Sequence, residues 1–395
     1  MTNSNLPWTP DFEIYPVAHA ISSARPEANA VVIEWSDGQR SKHHALWLRE
    51  NSPDEQTIHP LSRELVVDPL SFPENLSPDT VAVEATGALK VVWSHGGHVS
   101  RYHPGWLRTH AWLEESLPDR PDPLELWDAQ SRPTPPTFPG QDALNNDTVF
   151  LAWLESLRDV GIARLEGLPV RDGLLEQIVS RIGIVRETNF GRLFHVVVKD
   201  DPDSNAYTAA ALIPHMDLGT RELPPGLQFL YCRENSTAGG QGIYVDGFRI
   251  AADMQQEDPE NFEDLAGIAW EFKNRATDCD YRATGPVIAR DQEGRLTEIR
   301  YTPWLRAPLK APFETQQRAY RSLRAFMQRN SEARYQLRLT YRPGDLVAFA
   351  NRRVLHGRAA YNAAGGRRFL EGCYSDRDDL LSCIRQLKRE RQIAA

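Results

Sequence analysis

The chain has 395 residues, of which 41% are hydrophobic and 25% are charged, and its formal net charge is −9. This composition is typical of a soluble globular protein, long enough for one large domain or two smaller ones. The acidic balance argues against a nucleic-acid partner, and no apolar run approaches the ~18 residues that cross a membrane. Residues 1–10 contain no evident signal or transit peptide and the four cysteines lack CxxC spacing, so we expect a cytoplasmic protein.

The first part of the chain is predicted to be a small β-rich domain of residues 1–116. Two apolar runs, at 31–35 and 89–93, end near Asp37-Gly38 and Gly96-Gly97, which is the pattern of hairpin strands. The following stretch is rich in proline, which disfavours both helix and central strand. We therefore predict a linker over residues 117–140.

The remainder, residues 141–395, is predicted to be a catalytic domain. Apolar residues at helical spacing predict a helix over 147–157, followed by a buried strand over 161–165 and a second helix over 174–182. Helical character returns over 314–329, and 344–358 has the pattern of strand, turn and strand. These patterns alone indicate only a mixed α and β domain.

A histidine and a carboxylate stand two residues apart at the end of a short apolar run, as His215 and Asp217. In an extended strand both side chains would project to the same side, where they could share a metal ion. His356, in the strand predicted near the C-terminal end, is the third candidate ligand. Two histidines and one carboxylate that leave coordination positions open form the facial arrangement of non-heme Fe(II) oxygenases. The same residue types also suit Zn²⁺, so a zinc hydrolase stays open as a rival enzyme class.

Several sequence blocks beyond this triad stand in a characteristic order. They are Asn189-Phe190-Gly191, Ser204-Asn205-Ala206-Tyr207-Thr208, His215-Met216-Asp217, Pro225-Gly226-Leu227-Gln228-Phe229-Leu230, Val245-Asp246-Gly247-Phe248, Asn351-Arg352-Arg353-Val354-Leu355-His356-Gly357-Arg358 and Leu370-Glu371-Gly372-Cys373-Tyr374. In this order they resemble the γ-butyrobetaine dioxygenase family of Fe(II)/2-oxoglutarate-dependent oxygenases. Further similarity in Leu46-Trp47-Leu48-Arg49-Glu50-Asn51 and Tyr102-His103-Pro104-Gly105-Trp106-Leu107 extends the resemblance over nearly the whole chain.

The resemblance implies a fold and a set of cofactors. The fold would be α+β, with a double-stranded β-helix (jelly-roll) catalytic domain and a small β-rich N-terminal domain, and relatives are typically homodimers. The triad would hold Fe(II), with 2-oxoglutarate as cosubstrate and O2 as oxidant. The distal carboxylate of the cosubstrate needs a buried arginine, and Arg368 precedes Phe369-Leu370-Glu371-Gly372 as the family's 2-oxoglutarate arginine does. Arg367 is assigned to a surface salt bridge. Related enzymes often have Ser or Thr where Gly242 stands, so the affinity for the cosubstrate is in question.

The family binds a trimethylammonium group in an aromatic cage, because ring faces attract a cation that cannot donate hydrogen bonds. Positions that match the cage are all aromatic in this chain: Phe190, Phe194, Tyr207 and Tyr374. At the other end of the substrate, Asn205 matches one of two asparagines that meet a carboxylate, and the second is missing around Thr302. With Thr302 and Arg300 as donors for a bulkier anion, we expect 2-(trimethylammonio)ethylphosphonate to be hydroxylated at carbon 1, as in organophosphonate degradation. The alternative substrate is γ-butyrobetaine, hydroxylated to L-carnitine.

Two further expectations concern metal and activity. In the family the small domain usually carries zinc held by three cysteines and a histidine, but residues 51–56 of this chain contain no cysteine, so no structural zinc is expected. His98, which matches the zinc histidine, is interpreted as a surface or hairpin residue. A non-catalytic binding protein on an oxygenase fold is the alternative outside enzymes.

Overall fold

The computed structural model describes residues 6–113, 124–198, 208–274 and 279–394. The chain divides into two compact units, one of residues 1–121 with 391–395 and the other of residues 122–390. The division falls inside the predicted linker. Within the described ranges, every helix is too short or too polar to cross a membrane.

The smaller unit consists of two antiparallel sheets and two short helices. One sheet contains β1 (Ile21–Glu27), β2 (Ala30–Trp35) and β3 (Arg40–His44), and the other contains β4 (Pro78–Val83), β5 (Leu89–Trp93) and β6 (Val99–Tyr102), with helices α1 (Ala45–Glu50) and α2 (Pro104–Thr109). Gly38 at φ +84° and Gly96 at φ +69° supply the left-handed backbone that the turns after β2 and β5 require. The predicted hairpin strands therefore form, and Trp35 and Trp93 are buried in the core of this unit.

A buried hydrogen-bond cluster occupies the segment after α1. Asp54 Oδ2 accepts hydrogen bonds from Ser52 Oγ at 2.6 Å and from His98 Nε2 at 2.9 Å, and Ser52 also contacts Ser100 Oγ on β6 at 2.6 Å. Burial raises the pKa of Asp54, but the bonds from Ser52 and His98 outweigh it and lower that pKa below its ordinary value. His98 is thus a partly buried partner of Asp54. The absence of a structural zinc stays a prediction, which metal analysis of the purified protein tests.

The larger unit contains two opposed sheets. Their strands are β7 (Thr137–Pro139), β8 (Ile162–Glu166), β9 (Phe194–Val196), β10 (Leu212–His215), β11 (Leu227–Asn235), β12 (Gly242–Asp246), β17 (Leu337–Leu339), β18 (Leu346–Ala350), β19 (Val354–Arg358) and β20 (Arg368–Ser375). The four-stranded sheet has the order β10-β19-β12-β17, and the six-stranded sheet has the order β7-β8-β18-β11-β20-β9. Two hairpins, β13 (Trp270–Lys273) with β14 (Arg282–Gly285) and β15 (Ile288–Arg290) with β16 (Leu296–Ile299), lie between β12 and β17 in sequence.

Side chains from both sheets share one core. Tyr244 and Val354 from the four-stranded sheet pack with Phe349 and Leu370 from the six-stranded sheet. This sandwich is the double-stranded β-helix that the resemblance implies, so the α+β prediction is confirmed. Helices cover the sandwich: α3 (Gly140–Asn145), α4 (Asp147–Val160), α5 (Leu174–Ile182), α6 (Gly247–Glu257), α7 (Pro259–Gly267), α8 (Phe313–Ser331) and α9 (Arg377–Ala394).

Most of the predicted linker, residues 124–140, is part of the larger unit. Trp127 is 1% exposed and its indole N–H donates to the carbonyl of Val160. Residues Thr137–Pro139 form the edge strand β7, parallel to β8. Proline is tolerated at a sheet edge because only one side of an edge strand needs ladder hydrogen bonds, so the proline-rich composition does not exclude a strand at this position.

Candidate active site

The three predicted metal ligands lie together at one end of the four-stranded sheet. His215 ends β10 directly opposite His356 on the neighbouring β19, and their ring centroids are 4.6 Å apart. Asp217 follows β10, with Oδ1 3.3 Å from His215 Nε2 and Oδ2 3.8 Å from His356 Nε2. Among the described residues, this is the only group of three or more His, Cys, Asp or Glu whose ligand atoms lie close enough to hold one metal ion.

The ring orientation of His215 and the ionisation of His356 and Asp217 suit a metal. Nδ1 of His215 lies 2.8 Å from the carbonyl of Ile213, so this nitrogen carries the proton and Nε2 keeps its lone pair for a ligand bond. Burial lowers the pKa of His356 to about 4. Burial alone would raise the pKa of Asp217, but His356 and His215 hold it well below its ordinary value. A neutral His356 imidazole and an ionised Asp217 carboxylate are the forms that bind Fe(II).

Polar side chains from the opposite sheet hold the carboxylate of Asp217. Gln228 Nε2 and the Tyr374 hydroxyl both donate to Asp217 Oδ2, each at 2.8 Å. These donors stand directly opposite each other on β11 and β20, so they face the same side of the sheet. Both lone-pair directions on Oδ2 are occupied in this way, which leaves Oδ1 directed toward His215.

Asn351 holds the backbone of the same aspartate. Its side-chain oxygen accepts from the Asp217 N–H at 2.9 Å, and its Nδ2 donates to the carbonyls of Asp217 at 3.0 Å and Pro225 at 3.1 Å. Asn351 is fully buried in the turn between β18 and β19. It therefore connects the segment that carries Asp217 to the strand that carries His356.

A buried cation lies at the start of β20. Arg368 is 7% exposed, and its Nε and Nη1 find no hydrogen-bond partner among the described residues. A buried guanidinium with unused donors is suited to bind a carboxylate in a fork, which fits the distal carboxylate of 2-oxoglutarate. Its neighbour Arg367 is exposed and lies 3.4 Å from Glu234, the arrangement predicted for a surface ion pair.

The predicted aromatic cage is described in part. Phe194 on β9 stacks against Tyr374 with ring centroids 5.0 Å apart. Phe190 lies in the turn between Thr188 and Gly191 with 41% of its surface exposed. Tyr207 and Asn205 lie outside the described residues.

The two residues predicted to bind the anionic end of the substrate differ in their surroundings. Arg300 is buried, and it donates from Nε to Glu298 at 2.6 Å and from its other nitrogens to the backbone carbonyls of residues 219, 221 and 222. The two terminal guanidinium nitrogens thus hold the loop that follows Asp217, while Nε pairs with Glu298. Thr302 is 1% exposed and its hydroxyl finds no partner within the described ranges.

Some site residues were not identified from sequence. Gln228 and Asn351 stand within the sequence blocks that carry the resemblance, but the sequence analysis predicts no function for them. It predicts none for Trp304 either, whose ring centroid lies 4.7 Å from that of His215. A signal was present for Gln228, because a single amide inside the apolar run of β11 has to find a buried partner. Asn351 ends a similar apolar run.

Comparison with known proteins identifies the relatives of this chain. The model of the taurine catabolism dioxygenase TauD, TfdA family matches residues 123–374, and the model of the γ-butyrobetaine hydroxylase-like N-terminal domain matches residues 23–108. A γ-butyrobetaine dioxygenase of Pseudomonas sp. (strain AK-1) is 41% identical over 96% of this chain and 99% of the relative. The human γ-butyrobetaine dioxygenase is 28% identical over 92% of this chain and 95% of the relative. The mitochondrial trimethyllysine dioxygenase of Gallus gallus is 29% identical over 87% of this chain and 82% of the relative.

Proposed function

Because the chain belongs to the TauD, TfdA family of dioxygenases, as a member similar to γ-butyrobetaine dioxygenases over nearly its whole length, we propose that it hydroxylates γ-butyrobetaine to L-carnitine. The family match and the His215, Asp217 and His356 triad agree with the enzyme class predicted from sequence, a 2-oxoglutarate-dependent dioxygenase, and with Fe(II) as its cofactor. The observation that carries the choice of substrate is the 41% identity over 96% of the chain with a γ-butyrobetaine dioxygenase.

This proposal reverses the order of the two substrates predicted from sequence. The phosphonate was preferred because Arg300 and Thr302 were expected to supply donors for a bulkier anion. The contacts of Arg300 with Glu298 and three backbone carbonyls weaken that reasoning, since a guanidinium already engaged in this way has few donors left for a ligand. The relatives compared above are dioxygenases of γ-butyrobetaine or of trimethyllysine. 2-(Trimethylammonio)ethylphosphonate is kept as the second candidate.

The protein binds and orients the reactants. Fe(II) and 2-oxoglutarate, when bound, supply the oxidative decarboxylation that drives hydroxylation. His215, Asp217 and His356 would hold the metal. Arg368 would bind the distal carboxylate of the cosubstrate through its buried guanidinium.

The stacked rings of Phe194 and Tyr374 form the described part of the cation site. The attraction between an aromatic face and a cation contributes about 0.5–1 kcal/mol at an exposed site and about 2 kcal/mol or more when water is excluded. Tyr374 places this cation beside the metal, because its hydroxyl contacts Asp217 at 2.8 Å. Phe190 and Tyr207 complete the proposed cage, and Asn205 with Thr302 are the proposed partners of the substrate carboxylate.

The experiment that tests the proposal is succinate release by the Fe(II)-loaded protein with 2-oxoglutarate under air. γ-Butyrobetaine, trimethyllysine and 2-(trimethylammonio)ethylphosphonate are each compared with a sample lacking substrate. We expect the largest stimulation with γ-butyrobetaine, and Phe194→Leu should raise the KM for it with a smaller effect on kcat. Stimulation by the phosphonate alone would restore the original order of the substrates. If none of the three compounds stimulated turnover, the proposed substrate class would be wrong.

Two other expectations belong with this function. We expect a homodimer, which light scattering coupled to size exclusion tests directly. We also expect a cytoplasmic enzyme, which fractionation of the source cells tests.

A further inference from the structure

Tyr244 lies on the same face of its sheet as the metal ligands. On β12 it stands directly opposite His356 of β19, and residues directly opposite in an antiparallel pair project to the same side. Its ring contacts Phe349 edge-on at 5.4 Å between centroids, and Phe349 in turn lies 5.0 Å from the His356 ring. Tyr244 therefore borders the space between the two sheets next to the metal site.

The hydroxyl of Tyr244 is hydrogen-bonded to the hydroxyl of Tyr341. In such a pair one hydroxyl donates and the other accepts, so the accepting hydroxyl still has a proton to donate elsewhere. Both tyrosines are at most 2% exposed, and no other partner of either hydroxyl is found in the described part of the chain. A buried donor of this kind is usually satisfied by a ligand or by ordered water.

Arg368 lies beside this pair. A Cβ atom on Gly240 would lie 3.3 Å from Nε of Arg368, and one on Gly242 would lie 3.0 Å from Cε2 of Tyr341 and 3.1 Å from Cε2 of Tyr244. Gly240 and Gly242 are only two residues apart in the chain. The Arg368 guanidinium, which lies near Gly240, and the two tyrosine rings, which lie near Gly242, are therefore neighbours. The close approach also gives a physical reason for Gly242, since the tyrosine rings occupy the space that a side chain there would need.

Arg368 and the hydroxyls of Tyr244 and Tyr341 together form surroundings that favour an anion. Burial raises the pKa of both tyrosines well above the ordinary value, while the positive charge of Arg368 acts in the opposite direction on each of them. Both hydroxyls are therefore protonated at neutral pH and able to donate. Arg368 adds two buried donor nitrogens without partners among the described residues.

We propose that the Tyr244–Tyr341 hydroxyl pair donates a hydrogen bond to the carboxylate that Arg368 binds, which is the distal carboxylate of 2-oxoglutarate. The inference rests on the cosubstrate of the proposed function and is independent of the primary substrate. The guanidinium supplies charge and a planar fork, and the phenol supplies one directional donor from the side of the four-stranded sheet. Tyr244 and Tyr341 are thus cosubstrate-binding residues.

The test compares two keto acids that chelate the metal through the same atoms. Fe(II)-loaded protein is titrated without oxygen, with 2-oxoglutarate or with 2-oxopentanoate, which lacks the distal carboxylate, and the charge-transfer absorption of the bound keto acid is followed. The double variant Tyr244→Phe/Tyr341→Phe keeps both rings and removes both hydroxyls. We expect its affinity for 2-oxoglutarate to fall by about 10-fold or more, with the affinity for 2-oxopentanoate unchanged.

Several results would overturn the inference. Binding of 2-oxoglutarate within about twofold of the unmodified protein would exclude the hydrogen bond, because a bond to a charged acceptor is worth about 10-fold or more. An equal loss for both keto acids would indicate a purely structural role. Should the double variant not fold, the two single variants Tyr244→Phe and Tyr341→Phe together supply the comparison, and at least one of them should lose affinity for 2-oxoglutarate alone. If the unmodified Fe(II) protein bound no 2-oxoglutarate at all, the proposed function would fail instead, so the two failures are distinguishable.

Discussion

Replacement of Gln228 by methionine is expected to weaken metal binding without unfolding the protein. Gln228 is 1% exposed and donates from Nε2 to Asp217 Oδ2 at 2.8 Å, while its own Oε1 is buried without a partner among the described residues. A hydrogen bond to a charged group contributes about 1.5–3 kcal/mol, and about 1.4 kcal/mol corresponds to a tenfold change in affinity. We therefore expect Gln228→Met to lower the metal affinity by about 10- to 100-fold.

The same substitution should change the stability of the metal-free protein by less than about 1 kcal/mol. It removes one hydrogen bond, but it also removes the unpartnered Oε1, and methionine fills a similar volume with an apolar side chain. The two effects oppose each other in the unfolding equilibrium, whereas only the lost donor affects the metal site. This difference separates a positioning role of Gln228 from a general packing role.

The assay is an anaerobic titration of metal-free protein with Co²⁺, in which a chelator competes for the metal and visible absorption reports the bound ion. Urea unfolding of the metal-free protein supplies the stability. Gln241→Met is the matched control, because Gln241 donates to Thr340 at 3.2 Å outside the triad. A Co²⁺ affinity of Gln228→Met within twofold of the unmodified protein would refute the reasoning, as would a loss of affinity matched by an equal loss of stability.

Three further predictions follow from the contacts described above. Asn351→Ala removes hydrogen bonds of 2.9, 3.0 and 3.1 Å and should lower the free energy of unfolding by about 3 kcal/mol, measured by urea unfolding; a loss under about 1 kcal/mol would contradict it. Tyr374→Phe keeps the ring but removes the donor to Asp217, so Co²⁺ affinity should fall about tenfold while γ-butyrobetaine still stimulates succinate release; unchanged affinity would argue against the donor role. Burial, with a smaller contribution from His110, lowers the pKa of His43 from 6.5 to about 4, so the unfolded state binds a proton there at a higher pH than the folded state does. In the unmodified protein, the free energy of unfolding of the small unit should fall by about 3 kcal/mol as the pH drops from about 6.5 to about 4. An equal fall over this range in a His43→Phe variant would contradict the prediction.

Local patterns in the sequence were sufficient to locate most elements near the site. The helix predicted over 174–182 has the same bounds in the structure, and the strand predicted over 161–165 is Ile162–Glu166. These segments carry their own signal, because apolar spacing and flanking glycines act within a few residues of each other. The ligands His215 and Asp217 were found for the same reason, since their two-residue spacing is itself local.

The partners of these ligands depend on contacts between distant strands. Gln228 and Tyr374 meet Asp217 only because β11 and β20 pair in one register, and a shift of one residue would turn both side chains to the other face. Arg300 donates to backbone carbonyls 78 to 81 residues away, contacts that its charge and its neighbours in sequence did not indicate. A sequence specifies the charge of such a side chain but not which groups surround it.

The sequence by itself determined the chemistry that is available: two imidazoles, one carboxylate and an arginine. His215 and Asp217 were indicated by residue type and short spacing, whereas the 2-oxoglutarate role of Arg368 was implied by the resemblance to a known family. Only the tertiary structure decided the geometry, including the two donors on Asp217 Oδ2, the buried Arg368 with unused nitrogens and the tyrosine pair beside it. The physical reason is that desolvation and hydrogen-bond satisfaction depend on which strands face each other across the core, and that arrangement forms only when both sheets are assembled.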